Sequence, residues 1–166
     1  MKPGIPLTEV ETAILNICEN IVLKADEKGW PNGLWGPETI LEICRYGDRL
    51  GYDTCSTAGR RAGLGSGEYL WDAAWFKKNG QLALTLECEW GRREDIFFDF
   101  RKLAYSVTEL RCMIFQGRGS EIESTFEDLE VEAKRLSVPQ YPMRYLLLGF
   151  DHPEPVRKFR ERVIEV

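Results

Sequence analysis

Histidine is almost absent from this 166-residue chain, His152 being the only one. That argues against a zinc site, and His152 itself falls in Asp151-His152-Pro153-Glu154-Pro155, which reads as a surface loop. No serine or cysteine has a visible base partner, so a nucleophile–base pair is not written in the sequence. The five cysteines are odd in number and contain no CxxC pair. They read as buried, reduced thiols acting as small hydrophobes. No apolar run approaches the roughly 18–20 residues needed to cross a bilayer. The start, Met1 to Pro6, lacks the apolar core of a signal peptide, so the expected location is the cytoplasm. There is no Gly-Lys-Ser/Thr. The glycine run Gly63-Leu64-Gly65-Ser66-Gly67 precedes a strand, whereas a phosphate loop follows one, and it reads as mobile. Basic excess is missing too: the net charge is −5, which counts against a protein that coats DNA. An acidic site offset by a bound metal remains compatible with that balance. Local basic pairs occur at Arg60-Arg61, Lys77-Lys78, Arg92-Arg93 and Arg101-Lys102.

What is present is an ordinary globular composition, 43% hydrophobic and 30% charged, of a length that suits one domain with one sizeable core. Thr8 and Glu11 form a potential capping box ahead of an amphipathic helix over Leu7–Glu27. A loop at 28–36 leads to a second helix, with Pro37 in its first position and Gly51 at its end. Tyr52–Thr57 reads as a short strand and 58–67 as a flexible loop. Strands are expected at Glu68–Lys78, Gln81–Trp90, Leu110–Phe115 and Tyr145–Phe150, with helices at Asp95–Val107 and Glu121–Leu136. The tail from Val156 is ambiguous between helix and strand. A hairpin followed by strand–helix–strand units predicts an α/β fold: a central mixed β-sheet with an antiparallel hairpin, flanked by helices on both faces.

Asn79-Gly80 between two β patterns predicts a two-residue type I′ turn. The resulting register sets Phe76 against Ala83, Ala74 against Thr85, Asp72 against Glu87 and Leu70 against Glu89. Trp71, Ala73, Trp75, Leu84, Leu86, Cys88 and Trp90 then share the opposite, apolar face. Asp72 and Glu87 become cross-strand neighbours about 5 Å apart. Like charges so placed destabilise a sheet unless a cation or a shared proton relieves them. Hard oxygen ligands of this kind suit Mg²⁺ or Mn²⁺. The competing reading is an acidic, solvated face. Leu70, Ala74, Phe76 and Ala83 on the same face call for cover and favour the site.

These residues resemble the PD-(D/E)XK nuclease superfamily, whose core is a helix, a three-strand meander, a helix and a fourth strand. Asp72 in Tyr69-Leu70-Trp71-Asp72 matches the first acid and Glu87 in Leu86-Glu87-Cys88-Glu89 the second, over about residues 38–116. The resemblance implies a restriction-endonuclease-like fold, with residues 1–36 an N-terminal helix and loop, 37–116 the nuclease-like core, and 117–166 a C-terminal helix and strand. Glu89 stands where the family usually has lysine. Some members move that lysine to the next helix, and Lys102 in Asp99-Phe100-Arg101-Lys102-Leu103 matches such a relocation. Phe98 and Leu103 would anchor that helix face. The family's glutamate on the preceding helix corresponds to Glu42, with Glu38 as fallback.

The implied activity is Mg²⁺- or Mn²⁺-dependent hydrolysis of phosphodiester bonds in DNA. Asp72 and Glu87 would be metal ligands, Glu89, Lys102 and Glu42 would complete the catalytic set, and Arg60 and Arg61 would contact the phosphate backbone. A catalytically inactive relative that binds a protein or nucleic acid is the alternative, fed by Glu89 and the acidic pI. A protein partner or a homodimer is compatible with either. Trp30 and Trp35, in a loop, are the aromatic candidates for a partner contact, because the three hairpin tryptophans belong to the core.

Overall fold

Two apolar sheet faces demand two layers of helix, and the chain supplies them in sequence order. Residues 6–63, 70–152 and 158–166 are described in a computed structural model, the Asn32 side chain aside. Helix α1 (Leu7–Lys28) and α2 (Trp35–Leu50) come first. Strand β1 (Asp53–Ser56) runs into a short helix α3 (Thr57–Arg61). Then follow β2 (Ala73–Phe76), β3 (Leu82–Glu89), α4 (Arg93–Ala104), β4 (Thr108–Gly117), α5 (Ser120–Leu136), β5 (Arg144–Asp151) and β6 (Lys158–Glu165). All six strands form one sheet in the order β1-β2-β3-β4-β5-β6. The outer pairs β1/β2, β2/β3 and β5/β6 are antiparallel; β3/β4 and β4/β5 are parallel. The expected α/β class with a mixed, two-sided sheet is therefore correct. Among the described residues no helix is long and apolar enough to cross a membrane.

Helices α1 and α2 cover one face, packing Ile14, Cys18, Ile43 and Cys44 on Trp75, Leu84, Leu86 and Ile114. Helices α4 and α5 cover the other, packing Phe100, Leu103, Phe126 and Leu129 on Ala74, Met113, Phe115 and Tyr145. Trp75 and Trp90 press their indole edges onto α2, where a Cβ on Gly47 or Gly36 would lie 2.7 Å from a ring atom. These glycines are about three helical turns apart on one stripe. Gly47→Ala would gain about 1 kcal/mol of helix propensity. The added carbon would meet three atoms of a buried, rigid indole at 2.7–2.9 Å, an overpacking that costs about 1–3 kcal/mol. A net loss of stability is expected, measurable by urea unfolding; an equally stable variant would show that Trp75 has room to move.

Several local expectations are corrected. The hairpin loop has three residues, Lys78, Asn79 and Gly80: Lys77 N–H donates to Gln81 O at 2.8 Å and Gly80 N–H to Lys77 O at 2.8 Å. A type I′ turn needs positive φ at both central residues; among the described residues only glycines have it, Gly80 at 82°. The longer loop sets Phe76 against Leu82, and a bulge beside it restores Trp75 opposite Leu84 and Ala74 opposite Thr85. Ala83 is the extra residue, and it packs towards α1 and α2 rather than sharing the acidic face.

Strand β2 is short. Residues 70–72 bend ahead of it, Trp71 packs with the α4 layer instead of the Trp75 face, and Leu70 is 62% exposed without a partner strand at Glu89. Glu68 and Tyr69 of the expected strand, and 64–67 of the expected flexible loop, lie outside the described residues. The start of that loop is α3, whose N-cap Ser56 Oγ accepts the Gly59 N–H. Helix α2 begins at Trp35, two residues before Pro37, and the ambiguous tail is strand β6. Thr8 and Glu11 form no capping box: Pro6 precedes α1, and Glu11 is buried in a two-pronged ion pair with Arg144 at 2.6 and 2.8 Å.

Candidate active site

Alternation along β3 turns Leu84 and Leu86 towards α2 and Thr85 and Glu87 towards α4. Thr85 meets Ser106, just past α4, at 3.0 Å. Glu87 lies almost wholly out of solvent, at 1% exposure. Asp72 immediately precedes β2, and its Oδ2 accepts the Cys88 N–H at 2.8 Å. That bond stitches the Asp72 carboxylate to β3 beside Glu87, so both acids sit at the same end of the β2/β3 pair.

Lys102 reaches them from the last turn of α4. Its Nζ lies 2.7 Å from Glu87 Oε1 and 3.0 Å from Asp99 Oδ1. Oε1 is buried, and the ammonium lies directly against it as an ion pair. The Trp71 indole N–H donates to Lys102 O at 3.3 Å and fixes α4 against the β2 entry. Burial pushes the Glu87 carboxyl up to about 8; the charges of Asp72 and Asp99 add to this and Lys102 opposes it. Burial works against the Lys102 ammonium, but its contacts with Glu87 and Asp99 outweigh that and raise its pKa. The two carboxylate partners therefore hold the ammonium in its charged form.

Glu89 follows on the same strand face. Its Oε1 accepts the Gly91 N–H at 2.5 Å. Burial raises its carboxyl, Gly91 opposes, and a hydrogen bond with Asp99 adds to the rise. A Cβ on Gly91 would lie 2.6 Å from Glu89 Oε1 and 3.2 Å from Asp95 Oδ2, so Asp95 closes the same corner. Neither Asp95 nor Asp99 is among the site residues expected from the sequence. Their signal was legible: 95, 99 and 102 repeat at i, i+4 and i+7, one helical face.

Not every expected residue joins the group. Glu42 belongs to α2, whose packed side faces the opposite sheet surface, and its carboxylate takes Arg45 at 2.5 Å. Glu38, in the first turn of α2, shares that layer. Phe98 is no apolar anchor, being 65% exposed, whereas Leu103 is fully buried. Arg60 and Arg61 are exposed on α3. Ser56 pairs with Ala73, so α3 starts at the sheet end where Asp72 lies. The cysteines are free thiols, four of them buried.

Helices α4 and α5 are tied together by Glu132, which takes Arg101 and Arg135 at 2.7 Å. Hydrogen bonding from Arg135, then Arg101, pulls its carboxyl down to about 2 against burial. A depressed folded-state pKa gives stability that is present above about pH 4.5 and lost as pH falls towards 2. Glu132→Gln should therefore be less stable than the parent at pH 6, with the gap narrowing at pH 3. Urea midpoints at the two pH values read this, and a gap that stays constant would rule out the ion pairs as its source.

Among the described residues no group of three or more His, Cys, Asp or Glu side chains is arranged to hold a metal ion. Comparisons of the chain with protein-family models, with curated proteins and with solved structures return no match.

Proposed function

We propose that the chain is a Mg²⁺-dependent phosphodiesterase acting on DNA, with Asp72, Glu87 and Lys102 at its centre. The observation that carries this reading is the convergence of a buried glutamate, a second carboxylate and an ammonium at 2.7 Å from three separate elements. Clusters of this kind, with a strongly displaced pKa, concentrate at functional sites. The order of α2, the antiparallel meander β1–β3, α4 and the parallel β4 is also that of the superfamily the sequence resembles.

The residues fit such an ion in kind. Mg²⁺ is commonly held through one or two carboxylates, with water and substrate phosphate in its other positions, and needs no three-residue protein cage. Asp72 and Glu87 supply hard oxygens, and a cation bound here would share the buried Glu87 carboxylate with the Lys102 ammonium. Bound there, the metal would polarise the phosphodiester and lower the pKa of the attacking water. The chain's own groups do the positioning. The Cys88 N–H holds Asp72 in place, and Asp99 keeps the Lys102 ammonium charged and aimed at Glu87. Lys102 would stabilise the negative charge that develops on phosphate oxygens.

A binding module without catalysis is the second reading, favoured by the ammonium already seated on Glu87. Calorimetry with Mn²⁺ and Mg²⁺, run beside cleavage of single-stranded, double-stranded and branched DNA, tests the choice. Metal binding lost in Asp72→Ala, together with cleavage by the parent, is expected. Equal affinity in the two proteins would remove the site, and binding without cleavage would leave the module.

A further inference from the structure

The carboxyl ends of the parallel strands β3, β4 and β5 open onto a cleft, the usual place for ligands in α/β sheets. One chamber of about 440 Å³ is lined by Arg93, Gln116, Arg118, Glu121 and His152. A second of about 310 Å³ shares Gln116 and His152 and adds Trp35, Trp90 and Phe150. The two therefore adjoin at Gln116 and His152, one carrying arginines, the other aromatic. Phe150 is buried, and both indoles stand steeply on its ring: Trp35 at 5.3 Å and 64°, Trp90 at 6.2 Å and 82°. The side-chain amide of Gln116 is fixed by the Trp90 carbonyl.

The charges in the basic chamber are unevenly used. Arg93 is engaged by Asp128 and Ser124. Glu121 turns an oxygen to the Arg118 backbone N–H at 3.2 Å, which removes part of its opposition to an anion. The Arg118 guanidinium is exposed and has no carboxylate partner among the described residues. The chambers together fit a flat heteroaromatic ring joined to an anionic group. We propose that this cleft is a nucleotide-binding site, with the base in the aromatic chamber and the phosphate at Arg118. It uses none of the residues of the hydrolytic centre and stands without it. The chemistry is shared by a free nucleotide and by one unit of a DNA strand passing the sheet end where Asp72 and Glu87 lie.

The test uses the full chain in EDTA, followed through tryptophan fluorescence and the indole N–H resonances of Trp35 and Trp90. Deoxyadenosine monophosphate, deoxyadenosine, inorganic phosphate and a short oligodeoxyadenylate are titrated in turn. Saturable shifts with the monophosphate are expected, with the nucleoside and phosphate alone each about tenfold weaker or worse. Arg118→Glu, an exposed change, should weaken the monophosphate by about tenfold or more at an unchanged melting temperature. Tighter binding of the oligomer assigns the site to a strand, and equal binding to a free nucleotide. No saturable shift with either, or an Arg118→Glu protein that binds as the parent does, overturns the proposal. Asp72→Ala separates it from the hydrolytic reading, since that variant should lose metal and keep the nucleotide.

Discussion

Lys102→Ala should slow Mg²⁺-dependent DNA cleavage by a factor on the order of 10²–10³, the usual cost of losing one positioned stabiliser of developing charge. Metal affinity should not fall. The ammonium competes with any cation for Glu87 Oε1, 2.7 Å away, so its removal frees an acceptor rather than deleting one. The fold should survive, because Glu87 can take a proton instead of keeping an unpaired buried charge, as its pKa of about 8 already favours. Lys134→Ala, which breaks only an exposed i,i+4 pair on α5, serves as the control and should cleave at the parental rate. Single-turnover cleavage and calorimetry read the two effects separately. A Lys102→Ala protein that cleaves within a few-fold of the parent would remove Lys102 from the chemistry. One that cleaves slowly because it binds no metal would make it a structural support.

How much of this was legible can be traced residue by residue. Hydrophobic period 2 and the Asn79-Gly80 dipeptide located the hairpin, and the Ala74–Thr85 register followed. The reason given for that register was incomplete. A loop one residue longer and the bulge at Ala83 shift the ladder in opposite senses and cancel at Trp75. The bulge turns Ala83 into the core beneath α1 and α2, a tertiary contact that no local signal encodes. Periodicity also cannot say on which side of a sheet a preceding helix settles, and that is why Glu42 was placed with Glu87 when α2 covers the other face. Trp71 fails for a related reason: alternation was carried back through residues 70–72, where the chain bends and hands Trp71 to α4. The tail was ambiguous because β6 is an edge strand. Its alternation is diluted by Lys158, Arg160, Glu161 and Arg162, charges of the kind that edge strands commonly carry. The Asp72, Glu87 and Lys102 positions, by contrast, follow from short-range rules: strand pairing, strand alternation and helical reach.

Glu87→Gln should make the metal-free protein more stable by about 2–4 kcal/mol near pH 9 and change it little near pH 4.5. The folded-state carboxyl is raised from 4.5 to about 8, chiefly by burial, with Asp72 adding its charge. Below the unfolded value both states carry the proton, and the substitution alters no charge. As pH rises the unfolded chain ionises freely while the folded one resists, so parental stability falls until the pH passes about 8. Glutamine has no proton to lose and escapes that loss. Against it, Lys102 forfeits an anionic partner. That contact is already contained in the value of about 8, which Lys102 holds down, and the ammonium keeps Asp99 at 3.0 Å. Added Mg²⁺ should reverse the ranking. At one thousand times its dissociation constant a ligand confined to the folded state contributes about 4.1 kcal/mol, enough to overcome that gap, and only the protein with both carboxylates can collect it. Urea unfolding of parent and variant, at two pH values with and without Mg²⁺, gives the four comparisons. A parent as stable as Glu87→Gln near pH 9 without metal would mean that the fold bears no cost for this carboxylate. Glu87 would then be an ordinary member of the sheet, with no need of a cation. A parent that loses stability with rising pH and recovers it with Mg²⁺ would mean that the fold carries a strained carboxylate which binding relieves.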